Sequence, residues 1–317
     1  MFFARIHHLE IIATLVFALL AFVSLPTQAA QPVTPKLAAQ SISPKPTYGE
    51  LLKSSAPTDW RPLDDNNTIY MELASGRVVM ELAPEFAPLH AANIKALVRE
   101  GYFDGLVFMR VQENYVVQWG DPTEKKTPLK AMKTLPPEFT VPIKKELPFT
   151  RLPDVDGYAK EVGFSNGFHA ARDSKSRQTW LTHCTATLGV GRDNDINSGG
   201  GTELYVVTGH APRHLDRNIA LVGRVVQGMS LLTVLPRGTK EMGFYEKPEQ
   251  NVPIKSMRVA ADVPTSERSN LEVIRTDTPR FKAMVEALRN RSGDWYKVPA
   301  GHIELCNMPI AVREKRG

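Results

Sequence analysis

Between Phe108 and Asp121 the sequence reads Phe-Met-Arg-Val-Gln-Glu-Asn-Tyr-Val-Val-Gln-Trp-Gly-Asp. Arg110 is a permanent cation with several fixed donors, Gln118 an amide that both donates and accepts, and Tyr115 an aromatic surface. A strand-like start (Val107, Phe108, Val111), a turn-like middle (Glu113, Asn114) and a second β-rich run (Tyr115, Val116, Val117) closing on Gly120-Asp121 predict two strands meeting at a bend. If both strands alternate, Arg110 and Gln118 project to the same surface as Tyr115, so a cation, an amide and an aromatic wall share one shallow pocket.

Other chemistries find less support. His169, Asp173, His183 and Ser198 supply triad residue types, but no Gly-x-Ser-x-Gly elbow or His-Glu-x-x-His helix places them, and each reads as loop or turn. Asp193, Asp195 and Asn197 are spaced like the first ligands of a calcium loop. Ser198 and Leu204 stand where that loop needs glycine and glutamate, so the stretch reads as a turn. Cys184 and Cys306 lie in no CxxC pair, which removes the ligand spacing of zinc and thioredoxin-like sites. No metal and no cofactor are expected.

The chain has 317 residues, 42% of them apolar and 8% aromatic, as a packed globular protein requires. Its net charge of +5 is mild, and Lys144-Lys145 and Arg313 to Arg316 read as solvated surface rather than as a nucleic-acid site. Arg5, the apolar run Ile11 to Val23 and the small residues around Ala29 read as a cleaved signal peptide over residues 1–29, since the run is shorter than the roughly 20 residues of a membrane span. The mature chain is therefore expected in the periplasm, off the membrane, as a monomer. In that oxidising setting Cys184 and Cys306 read as one disulfide, with two buried thiols as the alternative.

Residues 30–65 read as a proline-rich linker ending in a short docking helix, which Thr47-Tyr48-Gly49-Glu50 opens with capping-box spacing. From Thr68 the pattern is β. Ile69–Leu73 and Val78–Leu82 predict a hairpin, and Pro88 to Glu100 a helix stopped by Gly101. Ala186–Gly191, Thr202–Thr208, Val222–Val226 and Ile254–Ala260 read as further strands, so that residues 66–263 form one β domain. Residues 122–183, with Pro136-Pro137, Pro142, Pro148 and Pro153, read as a long loop insertion. Residues 264–317 read as a helical extension: Thr278 caps a helix whose Phe281, Met284, Val285 and Leu288 form a stripe expected to pack on the β domain.

The motif Phe108-x-Arg110, then Tyr115, then Gln118-x-Gly120-Asp121 resembles the centre of cyclophilin-type peptidyl-prolyl cis-trans isomerases. Val78 to Pro84, Ala87-Pro88, Asn93 and Glu100 to Gly105 are similar to the opening of that family, and His214 to Asn218 with Val222-Gly223-Arg224-Val225-Val226 to its later turn and strand. The resemblance implies a mainly β fold, a closed antiparallel eight-stranded barrel capped by two helices, in an exported bacterial form. It implies Arg110 and Gln118 as the catalytic pair. Phe108, Tyr115, Val116, Glu203, Tyr205, His214 and Leu215 are implied as substrate-binding residues, with Tyr115, Val116, Tyr205 and Leu215 around the proline ring.

The sequence departs from the eukaryotic pattern at Met109, Glu203, His214 and Ile219, and Gly189-Val190 stands at the alanine-asparagine step that binds substrate backbone. The expected activity is isomerisation of Xaa-Pro bonds in proline-containing polypeptide clients. The alternative is a non-catalytic chaperone or peptide-binding scaffold built on the same barrel.

Overall fold

The computed structural model describes residues 45–291 and 295–315; the expected signal peptide and the arm up to residue 44 lie outside them. The Thr47 hydroxyl accepts from Glu50 N while the Glu50 carboxylate accepts from Thr47 N at 2.7 Å, the capping box that opens α1 (Tyr48–Lys53). After β1 (Trp60–Pro62), β2 (Thr68–Leu73) and β3 (Gly76–Leu82) form the expected hairpin around Ala74-Ser75. Ile69, Met71, Leu73, Val78, Met80 and Leu82 alternate into the main core. Tyr70 and Val79 on the other face are covered by Ala260 and Leu271, so both faces of the hairpin are buried.

Helix α2 (Pro88–Arg99) lays Ala91, Ile94, Leu97 and Val98 on that core. No side chain caps it from Ala87. Instead Glu138, nearly fifty residues on, accepts from Leu89 N at 3.0 Å and His90 N at 2.9 Å, where free helix donors and the dipole favour a carboxylate. Strands β4 (Val107–Val111) and β5 (Val116–Gly120) follow.

Residues 122–183 are not the expected loop. They carry β6 (Val141–Pro142), β7 (Thr150–Arg151), β8 (Glu161–Ser165), β9 (Phe168–Asp173) and β10 (Gln178–Leu181), a five-stranded sheet in the order β6-β10-β9-β8-β7. The signal was Asn166-Gly167, whose φ angles of 48° and 82° make the two-residue turn between β8 and β9.

The chain returns through β11 (Thr187–Val190), β12 (Leu204–Val207), β13 (Leu221–Gln227), α3 (Met229–Thr233), β14 (Val252–Pro253) and β15 (Ser256–Val259). The curled sheet runs β14-β4-β5-β12-β11-β13-β3-β2-β15. It therefore has nine strands rather than eight, and among the described residues no ladder joins its edges β14 and β15 to close it. The strand expected over Ile254–Ala260 is β15, shortened to Ser256–Val259, and β14 is a separate edge strand just before it. Ile254 N still bonds Leu106 O at 2.8 Å, but Lys255 N bonds Glu72 O at 2.8 Å, so the chain changes partner between Ile254 and Lys255.

The extension is likewise not simply helical: β16 (Leu271–Ile274) pairs with β1 on one side and with β17 (Val312–Glu314) on the other, and Thr278 caps α4 (Pro279–Arg289), its hydroxyl accepting from Phe281 N at 3.1 Å. The Phe281, Met284, Val285 stripe does not reach the main core. It joins Leu51 and Trp60 of the arm, Val162, Phe164 and Trp180 of the insertion, and Leu305 and Met308 of the tail in a second core. Three segments distant in sequence thus fold as one layer, and Cys184–Cys306 is a disulfide with Cα atoms 5.0 Å apart that ties the tail to the chain entering β11.

Candidate functional site

Residues that alternate along one strand share a face, so Phe108 and Arg110 of β4 should point the same way. They do not. Phe108 pairs with Trp119 and Arg110 with Gln118, leaving Met109 as an extra residue in a β-bulge. Phe108 is 0% exposed in the main core, its ring 5.5 Å from that of Trp119, so it offers no surface to a substrate as expected of it. Arg110 emerges on the opposite face.

The register then sets a row across four strands: Arg110 opposite Gln118, Gln118 opposite Tyr205, Tyr205 opposite Gly189. Arg110 Nη1 donates to Gln118 Oε1 at 3.0 Å, and Gln118 Nε2 donates to Glu203 Oε2 at 2.7 Å. Arg110 Nε donates to Met242 O at 2.8 Å and Nη2 to the Gln112 amide oxygen, and the guanidinium lies 5.7 Å from the Tyr115 ring centre and 5.5 Å from that of Phe244. Burial lowers the Arg110 pKa from its ordinary value, opposed by Tyr115 and Tyr205. Burial also raises the Glu203 pKa, against the hydrogen bond from Gln118.

Beside this row Val116, Tyr205 and Val207 form a small apolar cluster, with Tyr115 and Ile219 packed on it. Of the expected proline-ring residues it unites Tyr115, Val116 and Tyr205. Leu215 is half-buried in the 3-10 turn Arg213–Leu215 and is not in the cluster, and His214 is exposed. Ile219 takes that wall instead. Gly189 and Val190 do not flank the amide of Gln118: Val190 is in the main core, and Gly191 is the residue whose Cβ would meet Gln118 Nε2, at 3.4 Å.

The sequence also concealed what lies behind the hollow. His183 is 0% exposed, with Nδ1 2.9 Å from Asp216 Oδ1 and Nε2 2.8 Å from the Tyr205 hydroxyl. It lies in the loop between β10 and β11, as expected, but buried rather than at the surface, and a partner 33 residues away leaves no local spacing to read. The other triad types are dispersed: His169 bonds Met308 O, Asp173 caps Lys175 N, and Ser198 turns onto Asp195 O. Among the described residues no three His, Cys, Asp or Glu side chains are grouped to hold a metal ion.

A guanidinium thus lies beside an aromatic and aliphatic cluster on the face of the curled antiparallel sheet opposite the main core. Residues 68–259 match the family model described as cyclophilin type peptidyl-prolyl cis-trans isomerase. A probable peptidyl-prolyl cis-trans isomerase of Brucella suis is 26% identical over 197 residues, covering 59% of this chain and 81% of that protein. The crystal structure of cyclophilin AquaCyp293 from Hirschia baltica is similar with a TM-score of 0.65 and 26% identity, over 82% of this chain and 96% of that one. A human peptidyl-prolyl cis-trans isomerase-like 1 is 36% identical over 67 residues, 21% of this chain and 38% of that protein. The chain belongs to the cyclophilin-type peptidyl-prolyl cis-trans isomerases and is an isomerase.

Proposed function

We propose that the chain isomerises Xaa-Pro bonds of exported proteins by stabilising the twisted amide through Arg110. The barrier of about 18–20 kcal/mol comes from delocalisation of the amide nitrogen's lone pair into its carbonyl. A group that holds the carbonyl oxygen of the proline and lies near the prolyl nitrogen as it pyramidalises lowers that barrier without a covalent step. Three of the five N–H donors of Arg110 go to Met242, Gln118 and Gln112, which fixes the guanidinium plane and leaves two for a substrate. Gln118, held from behind by Glu203, orients Arg110, and the cluster of Val116, Tyr205, Val207, Tyr115 and Ile219 takes the pyrrolidine ring.

The observation that carries this reading is the row Arg110–Gln118–Tyr205, which sets a fixed cation beside the apolar cluster of Val116, Tyr205 and Val207. Export is supported by the signal-like pattern of residues 1–29 and by the disulfide, which an oxidising compartment maintains. The clients are then proline-containing chains folding outside the cytoplasm, met by one copy of the protein without a cofactor. NMR exchange or a protease-coupled assay on a short Xaa-Pro peptide tests the mechanism. Wild type should accelerate the exchange and Arg110→Ala should not; equal acceleration by both would remove Arg110 from the mechanism.

A further inference from the structure

The apolar hollow is braced from behind by a buried polar chain that the isomerase mechanism does not use. It begins in the insertion at Asp156, whose carboxylate accepts from Arg213 Nη1 at 2.9 Å and Nη2 at 3.1 Å, and from Tyr158 N and Ala159 N at 2.9 Å. Arg213 Nε donates to Asp216 Oδ2 at 2.6 Å, and Asp216 Oδ1 accepts from the backbone N and the ring of His183. With Nδ1–H committed to a carboxylate, Nε2 is an acceptor, and the Tyr205 hydroxyl donates to it. Burial raises the Tyr205 pKa, which keeps that proton in place.

The side chains of Asp156, Arg213, Asp216 and His183 are exposed by only 4, 1, 7 and 0%. The chain joins two sides of the apolar cluster: Tyr205 on β12, and the segment that runs from the Arg213–Leu215 turn to Ile219. The insertion end is anchored in turn, because Asp154 accepts from Arg289 of α4 and from Ile303 N. Burying two carboxylates and a guanidinium is costly unless each is paired in fixed geometry, so the chain tolerates little change in the separation of these walls.

We propose that Asp156 is a positioning residue for the prolyl hollow: through Arg213, Asp216 and His183 it holds Tyr205 and the Ile219 wall at a set distance. It thereby determines how tightly a proline ring is held, not how fast its amide rotates. This rests on the hollow being the proline site. A residue of the insertion, outside the curled sheet, thus tunes affinity at a pocket it does not touch.

The test is a double-mutant cycle of Asp156→Asn and Tyr205→Phe, read as Kd for a short Xaa-Pro peptide by NMR titration, with the exchange rate at saturation measured alongside. Asp156→Asn should weaken binding about three- to tenfold with the saturated rate within about twofold of wild type. The two substitutions should be non-additive, their coupling exceeding about threefold in Kd, whereas independent sites agree within about twofold. Additive effects, or Asp156→Asn lowering rate and affinity only in step with the folded fraction seen by circular dichroism, overturn the proposal. Should Asp156→Asn not fold, Asp156→Leu with Arg213→Met and Asp216→Asn removes both ion pairs without an orphaned charge and enters the same cycle. A wild type that binds the peptide without accelerating its exchange would instead count against the Arg110 mechanism, and the cycle on Kd would still decide the role of Asp156.

Discussion

Arg110 and Gln118 face each other across β4 and β5 because Met109 is an extra residue in the ladder, not because the two strands alternate throughout. Without the bulge Arg110 would follow Phe108 toward the core. With it, the guanidinium reaches the outer face 3.0 Å from the Gln118 amide oxygen. One inserted residue re-aims the side chain that the mechanism requires.

Arg110→Ala should lower kcat/KM on an Xaa-Pro peptide by about 10²–10³-fold, the usual loss on removing a preorganised donor. Arg110→Lys should restore little, since one ammonium cannot bond Met242 O, Gln118 and Gln112 in a single plane and also hold a substrate. Recovery to near wild-type rates with lysine would show that charge alone suffices.

Glu203→Gln should stabilise the protein at neutral pH. Burial raises the Glu203 pKa above the ordinary 4.5, so the folded state holds this proton more tightly than the unfolded chain. Stability is thus lost as pH rises from the unfolded value through the folded one, and the penalty is full above both. The glutamine still offers an oxygen to Gln118 Nε2. In chemical denaturation the gain over wild type should be largest at neutral pH and vanish below pH 4.5; a gain independent of pH would assign it elsewhere.

Gly189→Ala should weaken peptide binding more than it alters stability. A Cβ there would lie 2.3 Å from both the Tyr205 hydroxyl and its ring carbon, so the ring must leave the hollow's floor and its bond to His183. Peptide titration should show about a tenfold loss of affinity, in the range a displaced binding wall gives. An unchanged Kd would mean that Tyr205 does not contact the proline ring.

Replacing Cys184 and Cys306 by serine should cost about 3–5 kcal/mol, because the bond closes a loop across a separation of 122 residues. Thermal melting should fall on the order of 10 °C for a chain of this size. Reductant should reproduce that shift in wild type and leave the double variant unmoved.

Much of this protein could be read locally. The caps at Thr47 and Thr278, the β2–β3 hairpin, Pro88 and Gly101 around α2, and the spacing of Arg110, Tyr115 and Gln118 all depend on residues within a few positions of one another. The Asn166-Gly167 turn was equally local, but the prolines from Pro136 to Pro153 gave the insertion the look of a loop.

What the chain alone determined is therefore the type of each short element and the residues able to hold a twisted amide, since propensity, capping and periodicity act over a turn or two. The tertiary structure decided the facing of Phe108 and Arg110, the joining of arm, insertion and tail in one core, and the contact of Asp216 with His183 and Tyr205. Those outcomes depend on register and on burial between segments far apart in sequence, where a one-residue shift reverses a face and no local pattern records the partner.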